Sequence, residues 1–102
     1  MNKRFDERKD NPGEIRMTLF VTGLTPRSSR AILNIKALCT SELGSRCKLT
    51  VVDIYLEPAI AVREQVYAAP MLIKYSPSPE RRIIGDLSDM KQVRQSLGLI
   101  AA

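Results

Sequence analysis

Residues 81–89 are Arg81-Arg82-Ile83-Ile84-Gly85-Asp86-Leu87-Ser88-Asp89, a segment that changes from apolar to polar at its glycine. The apolar residues before Gly85 favour a strand, and Ser88 can cap a helix that begins after it. A proline-containing turn at 76–79 separates this segment from residues 71–75, an apolar run that is also typical of a strand. The sequence therefore predicts a β-hairpin followed by a last helix.

The first half of the chain has the pattern of a β-α-β unit. Residues 17–21 are strand-like, and Thr25 with Pro26 predicts a helix start, because threonine caps a helix and proline is tolerated in its first turn. Gly44 predicts the end of this helix, and the β-branched residues of 49–55 predict the second strand. The two strands are expected to be parallel, with a right-handed crossover. The apolar stripe of the helix is Ala31, Ile32, Ile35, Leu38, Cys39 and Leu43.

A shorter second helix is predicted to begin at Pro58 and to carry Ile60, Ala61, Glu64 and Val66. The last helix has an apolar stripe at three- and four-residue spacing, made of Met90, Val93, Leu97 and Ile100. The element order is then βαβαββα, the order of a thioredoxin-like α/β domain with a mixed sheet. We assign residues 15–102 to this domain. Residues 1–14 are charged and nearly free of apolar side chains, so we expect them to form a flexible leader.

The composition limits the number of domains, the partners and the location. A chain of 102 residues has room for one domain. Its net charge of +5 could attract an acidic protein or a nucleic acid, but cations alternate with acids and no nucleic-acid motif accompanies them. We therefore interpret the charge as an ordinary basic surface and keep nucleic-acid binding as an alternative function. The sequence has neither a long apolar run nor a signal peptide, which predicts a cytoplasmic location without membrane contact.

The residue types argue against catalysis. Histidine is absent, which removes the most common general base and zinc ligand. A thioredoxin-type reductase needs a Cys-x-x-Cys pair at the start of its first helix, where this chain has Thr-Pro-Arg-Ser at 25–28. Cys39 and Cys47 could form one disulfide, but we expect them as thiols that pack as small apolar residues. No cofactor, metal or catalytic residue is predicted, and a degenerate oxidoreductase remains an alternative.

Several short motifs match a known family. They are Val21-Thr22-Gly23, Thr25-Pro26, Ser28, Arg30-Ala31, Val52-Asp53, Pro58, Ala68, Pro70, Leu72, Lys74, Pro77, Pro79 and the block 81–89. On these residues the chain resembles the KaiB family of clock-associated proteins over roughly residues 17–97. The resemblance implies a non-catalytic regulator that binds the ATPase ring of KaiC, with timing or stress adaptation as the output. It also implies two folds: a free tetramer or dimer of order βαββααβ, and a partner-bound monomer of order βαβαββα.

The resemblance also implies roles for particular residues. Basic residues at family positions are the candidates for contact with a KaiC-like ring: Arg30, Lys74, Arg81 and Arg82. Gly85 and Asp86 are expected to fix the strand-to-helix turn that presents them. Thr50 stands where cyanobacterial relatives carry a lysine used to recruit KaiA, so the resemblance does not extend to that recruitment.

A last group of residues bears on the balance between the two folds. Pro77 and Pro79 either shape the hairpin loop or take part in the change of fold. Pro70 precedes the third strand, where thioredoxin-like folds often have a cis proline, and the sequence leaves its isomer open. Ser96 and Gly98 stand where relatives often have Gly and Asp, which predicts a larger thioredoxin-like population in this chain.

Overall fold

The computed structural model describes residues 13–100. Residues 1–12 and 101–102 lie outside the described residues, so the flexible leader stays a prediction. The strands and helices are β1 Ile15–Val21, α1 Pro26–Leu38, β2 Cys47–Asp53, α2 Pro58–Arg63, β3 Met71–Ser76, β4 Arg81–Ile84 and α3 Met90–Ser96. A π-helical turn at Cys39–Leu43 and a 3-10 turn at Gly44–Arg46 connect α1 to β2. The predicted order βαβαββα is confirmed.

The sheet has the strand order β2-β1-β3-β4. β1 and β2 are parallel, whereas β3 is antiparallel to β1 and β4 is antiparallel to β3. The register places Val21 opposite Asp53 and Phe20 opposite Met71. Met71 in turn lies opposite Ile84. The ends of β1, β2 and β4 and the start of β3 therefore share one edge of the sheet, which we call the strand-end edge.

The two faces of the sheet are covered unequally, because alternate residues of each strand point to opposite faces. On one face α1 and α3 enclose the larger cluster, made of Ile15, Met17, Leu19, Val21, Ala31, Ile35, Leu38, Leu43, Leu72, Ile83, Leu87, Val93 and Leu97. The other face carries a smaller cluster of Phe20, Met71 and Ile73, against which Ile60 of α2 packs. The short α2 ends at Arg63, before the predicted Glu64 and Val66.

Both ends of α1 follow from local sequence. Thr25 caps the helix, because its Oγ1 accepts a hydrogen bond from the Ser28 amide at 3.2 Å, and Pro26 occupies the first turn. After Leu38 the helix widens into the π-helical turn, and the chain leaves that turn at Gly44, where φ is +55°. The predicted start is confirmed, whereas the α-helix itself ends at Leu38, and the predicted stop at Gly44 ends the π-helical turn that follows it.

The start of α3 differs from the prediction. Asp89 caps this helix, because its Oδ1 accepts a hydrogen bond from the Gln92 amide at 3.1 Å. The Ser88 amide instead donates to Asp86 Oδ1 at 3.1 Å, so Ser88 belongs to the turn that precedes the cap. Aspartate and serine are both favourable N-cap residues, so residue type alone does not decide between Asp89 and Ser88. The geometry of the turn decides which of them caps the helix.

The end of α3 corrects the predicted apolar stripe. The helix ends at Ser96, and Gly98 turns the chain with φ at +78°. Ile100 is therefore exposed, whereas Leu99 packs against the core. Gly98 lies in a region that glycine enters without steric cost and that other residues avoid.

We expect Gly98→Asp to lower the free energy of unfolding by about 1 kcal/mol, because aspartate must adopt this backbone conformation with a Cβ atom. Urea unfolding of the two proteins measures the difference. Gly98→Ala is the matched control for backbone strain without charge, and it should lose a similar amount. An unchanged stability in both variants would show that the turn tolerates a side chain.

The prediction of two thiols is wrong, because Cys39 and Cys47 form a disulfide with their Cα atoms 5.7 Å apart. Cys39 directly follows α1 and Cys47 begins β2. The crossover returns the chain to the sheet at this point, so the two residues meet where the helix ends and the strand begins. Both are half-buried and pack against the larger cluster, which retains the apolar contact expected of them.

Candidate functional site

Four connections converge at the strand-end edge. The loop after β1 and the loop after β2 are joined there by a hydrogen bond from the Ile54 amide to the Val21 carbonyl at 2.9 Å. The turn after β4 is joined to the segment before β3, because the Gly85 amide donates to the Pro70 carbonyl at 2.9 Å. The Ala69–Pro70 peptide bond is cis, which answers the question left open by the sequence. This edge also holds the start of α1, where thioredoxin-type enzymes keep their reactive pair.

The hydroxyl groups at the start of α1 bond to backbone amides. Ser28 is fully buried, and its Oγ accepts a hydrogen bond from the Thr22 amide at 3.1 Å. Thr25 Oγ1 caps the helix, as described above. No thiol lies among residues 25–28. The helix start therefore offers no group that can cycle between a dithiol and a disulfide.

The cystine lies at the opposite end of α1. A helix of 13 residues is about 20 Å long, so the Cys39–Cys47 bridge is well removed from Pro70 and the strand-end edge. It also lies at the carboxyl end of the helix, where the helix dipole disfavours a negative thiolate. The position does not match that of a catalytic dithiol.

Exposed apolar side chains are concentrated on the segments of the strand-end edge. We call Leu24, Tyr55, Leu56, Tyr67 and Ile84 the edge patch. Leu24 is 88% exposed, Tyr55 71% and Leu56 78%. Scattered exposed apolar residues are ordinary on a protein surface, whereas a contiguous group of them is typical of an interaction site.

The backbone at Gly23 allows two loops of this patch to approach. Its φ is +62°, and a Cβ atom at this position would lie 3.9 Å from Tyr55 Cδ2. Sequence reasoning assigned Gly23 to a turn and did not identify the patch. The available signal was the pair Tyr55-Leu56 at the end of the predicted second strand, directly before the polar Glu57 and the helix start at Pro58.

Two of the predicted site residues, Arg30 and Asp86, form an ion pair in the fold. Arg30 Nε lies 3.0 Å from Asp86 Oδ2, and the side chains are 53% and 23% exposed. The Asp86 carbonyl accepts a hydrogen bond from Asn34 Nδ2 at 2.9 Å, which ties the same turn to α1 a second time. Gly85, with φ at +120°, allows the chain to enter this turn. Hydrogen bonds from Ser88 and then from Arg30 lower the pKa of Asp86 below its ordinary value.

The lowered pKa of Asp86 predicts an acid-sensitive contact. A carboxyl group whose pKa is lower in the folded than in the unfolded state stabilises the fold above its ordinary pKa, and this contribution is lost as the pH falls through the folded-state pKa. We expect the urea midpoint of the wild type to fall below about pH 4, and to fall less in Asp86→Asn. Glu42, whose pKa is lowered by Arg94, contributes in the same direction, so Glu42→Gln is the matched control. Parallel pH profiles for wild type and Asp86→Asn would contradict the assignment.

Lys74 is buried in this fold, and its predicted role as a ring contact stays a prediction. It is 3% exposed, and its Nζ donates a hydrogen bond to the Pro77 carbonyl at 2.8 Å. Burial, and then the positive charge of Arg81, lower the pKa of Lys74. The Ser76–Pro77 and Ser78–Pro79 peptide bonds are cis. In this fold Lys74 therefore supports the hairpin loop, at the edge of the sheet opposite the strand-end edge.

Arg82 is an exposed residue whose side chain bonds to the turn after α2. Its terminal nitrogens donate to the Glu64 carbonyl at 2.8 Å and to the Gln65 carbonyl at 3.1 Å. Its Nε donates to Glu80 Oε2 at 3.1 Å. Gln65 has φ at +58°, so Arg82 fixes a backbone turn that is otherwise unfavourable. Arg81, its neighbour, is exposed.

The predicted basic residues are thus separated into three places. Arg30 lies near the strand-end edge, Arg81 lies beside the hairpin loop, and Arg82 lies over the end of α2.

The described part of the chain, residues 13–100, contains no helix long and apolar enough to cross a bilayer. Within the same residues, no group of three or more Cys, Asp or Glu side chains is arranged to hold a metal ion.

Known proteins resemble this chain in sequence. The KaiB domain matches residues 18–99. The circadian clock protein KaiB3 of Synechocystis sp. is 36% identical over 84 residues, which cover 82% of each chain. The circadian clock oscillator protein KaiB of Prochlorococcus marinus subsp. pastoris is 39% identical over 84 residues, or 82% of this chain and 78% of that relative.

Solved structures resemble it in fold. The N-terminal domain of Synechococcus elongatus SasA has a TM-score of 0.70 at 19% identity, over 100% of this chain and 98% of that domain. The thioredoxin Deadhead of Drosophila melanogaster has a TM-score of 0.70 at 12% identity, over 87% of this chain and 84% of its own. The predicted thioredoxin-like class is therefore confirmed. Together with the sequence matches, which cover most of the chain, this shows that the protein belongs to the KaiB family.

Proposed function

We propose that this protein is a non-catalytic regulator that docks on a KaiC-like ATPase ring in the cytoplasm, as part of a circadian or stress-adaptation system. One observation carries the proposal: a thioredoxin-like fold whose helix start holds Thr25 and Ser28 in structural hydrogen bonds, beside an exposed edge patch. A binding surface without a reactive group suits a docking protein. The names of the matched relatives support a clock partner.

The docking surface of this proposal is centred on the edge patch. Leu24, Tyr55 and Leu56 present large apolar areas to solvent, and such side chains supply most of the energy in protein interfaces. Arg30 is the nearest of the predicted cations, and its partly exposed guanidinium can meet an acidic group of the ring. Arg81 could meet an acidic group of the ring only at the start of β4, which lies at the end of the sheet opposite the edge patch.

Self-association belongs to the same proposal. The resemblance to KaiB predicts a free tetramer or dimer of order βαββααβ, in which the second half of the chain is rearranged. Recruitment of KaiA is left out, because Thr50 replaces the lysine of relatives and contributes no charge on the exposed strand β2. Nucleic acid is also left out, because cations across the described residues pair with acids: Arg30–Asp86, Lys48–Glu14, Arg63–Glu64, Arg82–Glu80 and Arg94–Glu42.

Size-exclusion chromatography with light scattering tests the proposal. The protein is run alone and with a purified KaiC-like ATPase ring in the presence of ATP. We expect a complex that elutes ahead of the ring alone and in which each bound copy of the protein is a monomer. We also expect the oligomeric state of the free protein to differ from that of the bound protein. A protein that elutes independently of the ring at micromolar concentrations would contradict docking.

The cystine supports a second candidate, a thioredoxin-like oxidoreductase. Its position at the carboxyl end of α1 argues against that activity, as described above. The assay is thiol-dependent reduction of a disulfide substrate by the wild type, Cys39→Ala and Cys47→Ala. We expect no activity above the uncatalysed rate in any of them, and activity that both substitutions abolish would favour the second candidate instead.

A further inference from the structure

The Cys39–Cys47 bridge joins two elements that meet at the larger core cluster. Cys39 is the first residue after α1, and Cys47 is the first residue of β2, opposite Ile15 of β1. The Cα separation of 5.7 Å lies in the usual range for a disulfide. Both residues are half-buried, so the bridge lies at the border of the core and not in its interior. The bridge closes a loop that consists of residues 40–46.

The same loop is attached to α3 by an ion pair. Two guanidinium nitrogens of Arg94 donate hydrogen bonds to the Glu42 carboxylate. Arg94 Nη2 lies 2.7 Å from Glu42 Oε2, and Arg94 Nε lies 2.9 Å from the same oxygen. Leu43, the next residue, is buried in the core cluster. The loop therefore has two attachments that do not depend on the disulfide. Opening the bridge should loosen the loop without unfolding the domain.

We propose that the Cys39–Cys47 pair is a reversible redox modification site, and that its state sets how firmly the 40–46 loop holds α3. The co-reactant is a low-molecular-weight thiol or a protein dithiol. In the reducing direction two external thiols become one external disulfide, while the Cys39–Cys47 bond breaks and each sulfur takes up one proton. An external disulfide, such as oxidised glutathione, carries out the reverse exchange. This proposal is independent of docking to an ATPase.

The disulfide has two physical effects: it lowers the entropy of the unfolded chain, and it restrains the loop that contacts α3. A bridge that closes a loop of this length lowers the entropy of the unfolded chain. The oxidised loop also keeps Glu42 in place, which favours its contact with Arg94 and so with α3. Where a disulfide occurs in a reducing compartment it is usually transient or redox-sensing, which agrees with a pair at the border of the core that lies outside the position of a catalytic dithiol.

The experiment compares the wild-type protein after treatment with dithiothreitol and with oxidised glutathione. Alkylation followed by intact-mass measurement should find two modified thiols in the reduced sample and none in the oxidised one, with full return on reoxidation. Reduction should raise the unfolding equilibrium constant by about 50- to 100-fold. Amide hydrogen exchange should become faster in residues 40–46 and in α3 by a larger factor than in β1 and β3, whose exchange should follow only the change in the unfolding equilibrium constant.

The double variant Cys39→Ser/Cys47→Ser is the control, since it should show the exchange pattern of the reduced protein and ignore both reagents. The wild-type measurements do not depend on the folding of this variant. The proposal is overturned if oxidised glutathione leaves both thiols free to alkylate, or if dithiothreitol fails to open the bridge in the folded protein. Identical exchange in α3 for the oxidised and reduced forms would also overturn it.

Discussion

Tyr55→Ala is expected to weaken binding to a KaiC-like ATPase ring by about 30-fold, which corresponds to about 2 kcal/mol of binding free energy. Tyr55 is 71% exposed and belongs to the edge patch, and a Cβ atom built on Gly23 would lie 3.9 Å from its ring. Tyrosine presents a large, rigid apolar area with few rotatable bonds, so its burial in an interface costs little entropy. The dissociation constant, measured by titration of labelled protein with the ring, gives the result.

Leu33→Ala is the matched control for this experiment. Leu33 is 69% exposed on α1, away from the edge patch, and its removal takes a comparable apolar area from the surface. We expect binding by this variant to equal that of the wild type. Both variants should keep wild-type stability, because neither side chain belongs to the core. Equal losses in Tyr55→Ala and Leu33→Ala would place the docking surface elsewhere.

Arg82→Ala is expected to lower the free energy of unfolding by about 2 kcal/mol. The substitution leaves the carbonyls of Glu64 and Gln65 without their charged donor and removes the restraint on the positive φ of Gln65. Arg82→Lys should recover only part of the loss, because a single ammonium cannot reproduce the planar fork that bonds both carbonyls. Urea unfolding at neutral pH measures both values.

The neighbouring arginine serves as the reference for Arg82. Arg81 is exposed, and among residues 13–100 its side chain forms no hydrogen bond or ion pair, so Arg81→Ala should change stability by no more than about 0.5 kcal/mol. If the two alanine variants have the same stability, the contacts of Arg82 with the end of α2 are energetically neutral. A smaller loss in Arg82→Lys than in Arg82→Ala is the sign that the donors themselves matter.

Patterns of local sequence gave the element order correctly. Thr25-Pro26 marks the start of α1, and Gly44 marks the end of the π-helical turn that follows this helix, because capping and left-handed backbone conformations depend on neighbouring residues. The β-branched run at 49–55 and the prolines at 77 and 79 likewise identify a strand and a turn through their own conformational limits. Among the candidate residues, Gly85 and Asp86 lie between β4 and α3, and their role in presenting the cations stays a prediction.

Features that depend on long-range packing were missed. By residue type Lys74 is expected to be a surface cation. In the structure its ammonium donates a hydrogen bond to the Pro77 carbonyl of the hairpin loop, a contact that depends on the conformation of that loop. The cysteine pair depends on the path of residues 40–46, which periodicity does not describe. The edge patch joins residues from separate loops, so no stretch of sequence contains it.

The unequal covering of the sheet has a consequence for proteolysis. α2 has six residues, too few for a stable helix by itself, and Ile60 is its residue that packs against the smaller cluster. Opening of α2 and the segment to Pro70 should therefore occur far more often than global unfolding. A protease at low concentration should cut first between residues 56 and 69. The two fragments should stay associated, because the layer of α1 and α3 on the other face does not depend on the cut segment.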